Sequence, residues 1–141
     1  MNPKRMPSKA IDRGKYRVYL KKGQDFYRAM QRSLAEGNWN SVGLEAVHCA
    51  ISATDALLAY AGGIRSTGQD HGDAARLLRE TIHSPDTVRN SAHLLRIIEM
   101  KNVVEYEARD FTGEEAQDIA KHVERYLAWV RSFLPQEADS R

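Results

Sequence analysis

Apolar positions in this chain recur every three to four residues from about Lys15 to Leu134, the period of helices packed on one face. The first helix is expected from about Lys15 to Glu36, with Tyr16, Tyr19, Leu20, Phe26, Tyr27, Met30 and Leu34 as its stripe. Gly37 is its natural stop. Asn38-Trp39-Asn40-Ser41 reads as a turn in which Asn40 or Ser41 caps the second helix, about Val42 to Ala61. That helix is apolar almost all round, through Val42, Leu44, Val47, Ala50, Ile51, Ala53, Leu57 and Leu58, which assigns it to the middle of a bundle. Gly62-Gly63 ends it, and Ile64 to Gly72 reads as a loop. A short third helix, about Asp73 to Ile82, turns Leu77, Leu78 and Ile82 inward. Ser84 and Pro85 match an N-cap and a first helical position, so the fourth helix is expected from Pro85 to about Ala108. Thr112-Gly113-Glu114-Glu115 is a capping box, with Phe111 and Ala116 as a hydrophobic staple. It opens a fifth helix that continues to about Phe133 and stops before Pro135.

No run alternates apolar and polar residues as a half-buried strand does. The expected fold class is therefore all-α: an up-down bundle of four long helices and one short one over residues 13–134. Residues 1–12 are expected to form a basic flexible tail, and residues 135–141 a polar one.

A length of 141 residues is enough for one domain with a real core. The net charge of +2 is too small to mark a nucleic-acid binder, but its distribution is uneven. Lys4, Arg5, Lys9, Arg13, Lys15, Arg17, Lys21 and Lys22 oppose only Asp12 in the first stretch. Such an arm either contacts phosphates or is a solvated leader. Cys49 stands alone, which rules out an intramolecular disulfide and a cysteine-based zinc site. No metal and no cofactor are expected. No apolar run approaches the roughly 18 residues of a membrane span, and no apolar segment follows the N-terminal charges as in a signal peptide. A cytoplasmic protein with no membrane partner is the expectation.

One segment departs from the pattern. In the C-terminal half of the fourth helix, Leu94, Leu95, Ile97, Ile98, Val104 and Tyr106 share an arc with Lys101, Asn102 and Glu105. Burying an unpaired polar group costs roughly 1–3 kcal/mol, so these three need partners. One reading makes them a ligand surface. The plainer one pairs Lys101 with Glu105 at i,i+4, lets Asn102 fix register, and buries Tyr106 with its hydroxyl at the rim. On the second helix His48, Ser52 and Asp55 point one way, and would meet Lys101 if the two helices faced each other. The alternative is a hydrogen-bonded core or interface histidine, since spacing supplies no third strong metal ligand. Arg65 and the Gly-flanked pair Asp70-His71 lie in the loop, where Gly68 and Gly72 allow sharp turns. There, too, Asp70 or Asp73 could simply cap the third helix. No phosphate loop, dinucleotide fingerprint, nucleophile elbow or zinc-protease motif is present.

The helix Ala46-Val47-His48-Cys49-Ala50-Ile51-Ser52-Ala53-Thr54-Asp55-Ala56-Leu57-Leu58 resembles the second helix of HEPN domains. The resemblance continues through Gly62-Gly63, Arg65-Ser66 and Gln69-Asp70-His71 into the Ala-Ala-Arg-Leu-Leu helix. Lys101-Asn102-Val103-Val104-Glu105-Tyr106 then stands where those domains carry a polar motif. The likeness spans about Lys15 to Leu134. It implies a bundle of four or five helices, commonly a homodimer with the polar motifs at a shared cleft. Many members resemble ribonucleases of toxin–antitoxin and defence systems, often paired with a small nucleotidyltransferase-like partner.

Active members carry Arg-x(4–6)-His. Here Lys101 takes the arginine position, Asn102 follows it, and Glu105 or Tyr106 replaces the histidine. Histidine titrates near neutrality unaided, whereas Glu105 would need burial to raise its pKa, against the pull of Lys101. The resemblance thus implies a dimeric HEPN-like module that binds a nucleotide, an RNA or a protein partner and is not an ordinary HEPN ribonuclease. Lys101, Asn102, Glu105, Tyr106, Arg65, Asp70, His71, His48 and Asp55 are its candidate contacts. Two alternatives stay open. One is a metal-independent ribonuclease with His71 as acid and base and Lys101 stabilising phosphorane charge, which leaves Lys101, Glu105 and His71 as the catalytic candidates. The other is a purely structural interaction module.

Overall fold

A helix that is apolar on every face has to be surrounded. In the computed structural model, which describes residues 8–68 and 71–136, α2 (Trp39–Gly62) is enclosed in this way. It packs against α1 (Tyr16–Glu36), α3 (His71–Thr81), α4 (Thr87–Tyr106) and α5 (Gly113–Arg131). The result is the expected all-α bundle of five helices, with α3 the short one. Val42, Ala46, Ala50, Ala53 and the run Ala56 to Ala59 of α2 are all buried. By length and composition α2 would also suffice to cross a membrane, with a mean hydropathy of 1.3 over its most apolar window. That corrects the expectation that no apolar run comes near a span. Yet 72% of the window is buried inside the fold, the situation of a core helix.

The aromatic stripe of α1 is core. Tyr16 and Met30 are buried, and Tyr19, Leu20, Phe26, Tyr27 and Leu34 are partly buried against them. Cys49 lies in the same core, where burial pushes its thiol up to about 12. It behaves as a small hydrophobe, as free cysteine in such surroundings does.

The start of α5 follows its sequence signal closely. Thr112 Oγ1 accepts from the Glu115 amide at 3.0 Å, and Glu115 Oε1 accepts from the Thr112 amide at 2.9 Å. Arg109 clamps the same carboxylate with two bonds of 2.8 Å, which holds the Glu115 pKa down at about 2. Phe111 and Ala116, the staple pair, are both buried. Thr112→Ala should therefore lower stability by about 1 kcal/mol, readable as a shift in the urea midpoint. An unchanged midpoint would mean that the arginine clamp alone holds this turn.

Several boundaries differ from expectation. The helix α2 begins at Trp39, with Asn38 rather than Asn40 or Ser41 at the cap position. Asn40 is instead drawn off to the segment before α5, donating to Asp110 and accepting from the Phe111 amide at 2.7 Å. Asp86 holds the cap position of α4, while Ser84, ahead of the helix, bonds through Oγ to Oγ1 of Thr87, the first helical residue, at 2.9 Å. The helix ends at Tyr106, earlier than the expected Ala108.

The largest departure is a two-stranded ribbon. Ser8–Ala10 (β1), placed in the flexible tail by sequence, pairs antiparallel with Ile64–Ser66 (β2), placed in a loop. Ala10 stands opposite Ile64, Lys9 opposite Arg65, and Ser8 opposite Ser66. Three residues a side carry no readable alternation, so the pairing rests on tertiary context. Part of that context is Gly63, left-handed at φ 61°, which turns the chain back at the end of α2. Its carbonyl accepts from the Ile11 amide at 2.9 Å, tying the segment after β1 to this turn.

Candidate functional site

The ribbon brings Arg65 over the last turns of α2. Its Nε lies 3.6 Å from Asp55 Oδ2, and its guanidinium stacks on the Tyr19 ring at 5.2 Å from the centroid. The contact with a tyrosine face adds cation–π attraction to the ion pair. Arg65 is thereby held from two sides while its side chain stays 40% exposed. Behind it is a cavity of about 160 Å³. Ile51, Leu94 and Ile98 supply its apolar wall, and Thr54, Asp55 and Ser66 its polar one.

Asp55 is buried, with a side chain only 12% exposed. Burial is the larger influence on its titration and raises its pKa to about 6, against the opposing pull of Arg65 and Lys22. The carboxyl can thus hold or release a proton near neutrality, the property that sequence reasoning sought in a histidine. Thr54 beside it is fully engaged as a donor, giving its proton to the Ala50 carbonyl at 2.8 Å. The Tyr126 hydroxyl must then donate to Thr54 Oγ1, at 2.5 Å. With its one proton committed, Thr54 is a structural member of the wall and no nucleophile.

The polar segment of α4 begins one helical turn beyond this cavity, since Lys101 and Asn102 follow Ile98 by three and four residues. Lys101 Nζ approaches Glu105 Oε2 at 3.8 Å, with both side chains about a quarter exposed. This is the simple i,i+4 pair. Asn102 is exposed. Tyr106 is 72% exposed, which corrects its reading as a buried aromatic. It falls on the last turn of α4.

The stripe His48, Ser52 and Asp55 divides. His48 is exposed and stacks on Phe26 of α1, with ring centroids 5.2 Å apart. Ser52 is buried where α1 crosses at Gly23. Only Asp55 reaches the cavity, so His48 does not join Lys101 in one site. Asp70 lies outside the described residues, and His71 is the first residue of α3. Asp73, in the first turn of that helix, lies 3.8 Å from Arg76 and packs so closely on Gly68 that a Cβ there would meet its carboxylate oxygen at 2.6 Å. An acidic residue at this end complements the helix dipole. Among the described residues no group of three or more His, Cys, Asp or Glu side chains could hold a metal ion.

Sequence reasoning named Arg65 and Asp55 but did not join them, and it assigned Tyr19 to the core stripe alone. No local signal could have done better. Tyr19 and Arg65 meet only because the helix hairpin and the ribbon fold onto each other.

The HEPN domain family has a model that matches residues 16–133 of this sequence. Among solved structures, the crystal structure of TT1696 from Thermus thermophilus superimposes with a TM-score of 0.62 at 20% identity. The match covers 85% of this chain and 98% of that one, and at this identity it concerns the fold. No curated protein matches the chain.

Proposed function

Since this chain belongs to the HEPN domain family, we propose that it is a dimeric binding module for a phosphate-bearing ligand, a nucleotide or RNA. In this reading one phosphate is met at the mouth of the Asp55–Arg65 cavity and along the Lys101 end of α4. The observation that carries it is Arg65. A guanidinium braced by an aromatic face and a carboxylate, yet open to solvent, is preorganised for phosphate oxygens. The cavity supports a phosphate rather than a whole nucleotide, because about 160 Å³ falls below the roughly 300–1,000 Å³ of sites that enclose drug-sized ligands. A phosphate that drew Arg65 away would leave Asp55 to take up a proton, which its raised pKa already favours. Family membership further supports a role in a toxin–antitoxin or defence system, with a nucleotidyltransferase-like protein as partner.

Fluorescence anisotropy with a short oligoribonucleotide, repeated across salt concentrations, tests this reading. Arg65→Ala together with Lys101→Ala should weaken binding at least tenfold. The slope of log K against log salt should become shallower by about one for each lost contact. Unchanged affinity and slope in the double variant would refute the assignment and favour a purely structural interaction module.

The raised pKa of Asp55 favours a second reading, metal-independent RNA cleavage with Asp55 in the acid–base role that the family resemblance gave to histidine. RNA cleavage in the presence of a chelator, abolished by Asp55→Asn, is what it requires.

A further inference from the structure

Outside this site, α4 and α5 bring two histidines together, His93 and His122, with their Nδ1 atoms 2.8 Å apart and their rings tilted at 50°. The residues are 29 positions apart in sequence, and both are half-buried. A contact of 2.8 Å between two imidazole nitrogens requires one to donate and the other to accept, so at least one lone pair already points into the gap. On the far side of the His122 ring, Nε2 faces Asp118 Oδ1 at 3.7 Å. Asp118 is in turn paired with Arg96 at 3.3 Å. A carboxylate behind the distal nitrogen of a histidine is the arrangement that fixes the tautomer of metal-binding imidazoles. At 3.7 Å the contact is electrostatic rather than a hydrogen bond, and the tautomer it favours has the His122 proton on Nε2 and Nδ1 as the acceptor.

We propose that His93 Nδ1 and His122 Nδ1 form a two-histidine site for a divalent transition metal that clamps α4 to α5. The metal takes the place of the proton that the two rings share, which moves to His93 Nε2 so that both rings bind as neutral imidazoles, and water completes the coordination. Tetrahedral zinc, with Zn–N bonds of about 2.0–2.1 Å, needs ligand nitrogens roughly 3.3 Å apart. The nitrogens would have to part by about half an ångström, and the rings to turn so that both lone pairs converge on a point beside the line joining them. Neutral imidazole selects zinc, nickel, cobalt or copper over magnesium and calcium.

The charges around the pair permit this. On α4, Arg89 is paired with Asp86 at 3.0 Å and Arg96 with Asp118, while on α5 Arg125 adds one positive charge.

Thermal unfolding of the full chain with zinc or nickel ions, against magnesium and against a chelator, tests the proposal. Zinc and nickel should raise the melting temperature by about 3 °C or more, and magnesium should leave it unchanged. His93→Gln and His122→Gln should each remove the rise, while His48→Gln keeps it. Long-range ¹⁵N spectra of the wild-type imidazoles need no variant: of the five histidines, zinc should shift the Nδ1 signals of two. No rise in the wild type, a rise that survives either glutamine variant, or perturbation of other histidines instead would overturn it.

Discussion

Asp55→Asn is expected to stabilise the protein at pH 7.5 by about 1–3 kcal/mol, an unusual sign for a core substitution. Its carboxyl titrates at about 6 in the fold against 3.8 as the unperturbed value, with burial as the main cause. The native state therefore binds the proton more tightly than the unfolded chain does. By linkage, this group adds stability as pH falls from about 7 towards 4, and above pH 6 its buried charge is a cost. A shift of about two units sets the ceiling near 3 kcal/mol. The loss of the 3.6 Å contact with Arg65 subtracts little, because that arginine is 40% exposed and can resolvate.

The wild-type pH profile alone does not isolate the effect. His93 and His122 have lowered pKa values, so they remove stability as pH drops below about 6.5. The difference between wild-type and variant urea midpoints from pH 5 to 8 does isolate it. That difference should be largest at pH 8 and fall to about half by pH 5, since it disappears only below the unfolded pKa of 3.8. A variant no more stable than wild type at pH 8 would show that Arg65 compensates the buried charge in full.

The second large effect concerns Gly43. Inside a helix, Gly→Ala ordinarily gains about 1 kcal/mol. Here a Cβ would stand 2.5 Å from Val104 Cγ2 and 3.3 Å from the Phe111 ring. Gly43→Ala is therefore expected to destabilise by about 1–3 kcal/mol as an overpacked contact. Val104 lies between Lys101 and Glu105 in the chain, so this contact seats the polar segment against α2. Pairing Gly43→Ala with Val104→Ala should recover part of the loss, a coupling of about 1 kcal/mol or more in a double-mutant cycle. Strict additivity of the two substitutions, measured by urea unfolding, would show that the two positions do not press on each other.

The same two residues mark where sequence reading stops. Gly43 passes in the chain as one more small residue of an apolar helix, and only the approach of α4 makes it indispensable. Lys101, Asn102 and Glu105 stood out as polar residues on an apolar arc. The arc is genuine as far as Ile98, which is buried. Beyond it the cover thins: Val103 and Val104 still pack against the core, while Asn102, Glu105 and Tyr106 are at the surface. Periodicity describes which residues share a face and carries no information about how far a neighbour extends along it.

What the sequence determined by itself was local, although the caps of α2 and α4 escaped it. Helical period, the glycine after α1, the box and staple at α5 and the all-round apolar α2 each depend on residues within a few positions of one another. These physical preferences act before any tertiary contact forms. The tertiary structure alone decided the pairing of Ser8–Ala10 with Ile64–Ser66, the seating of Arg65 between Tyr19 and Asp55, and the meeting of His93 with His122. Each joins groups far apart in the chain. Their energies, and the shifted pKa values that follow, come from burial and distance, which exist only once the bundle has closed.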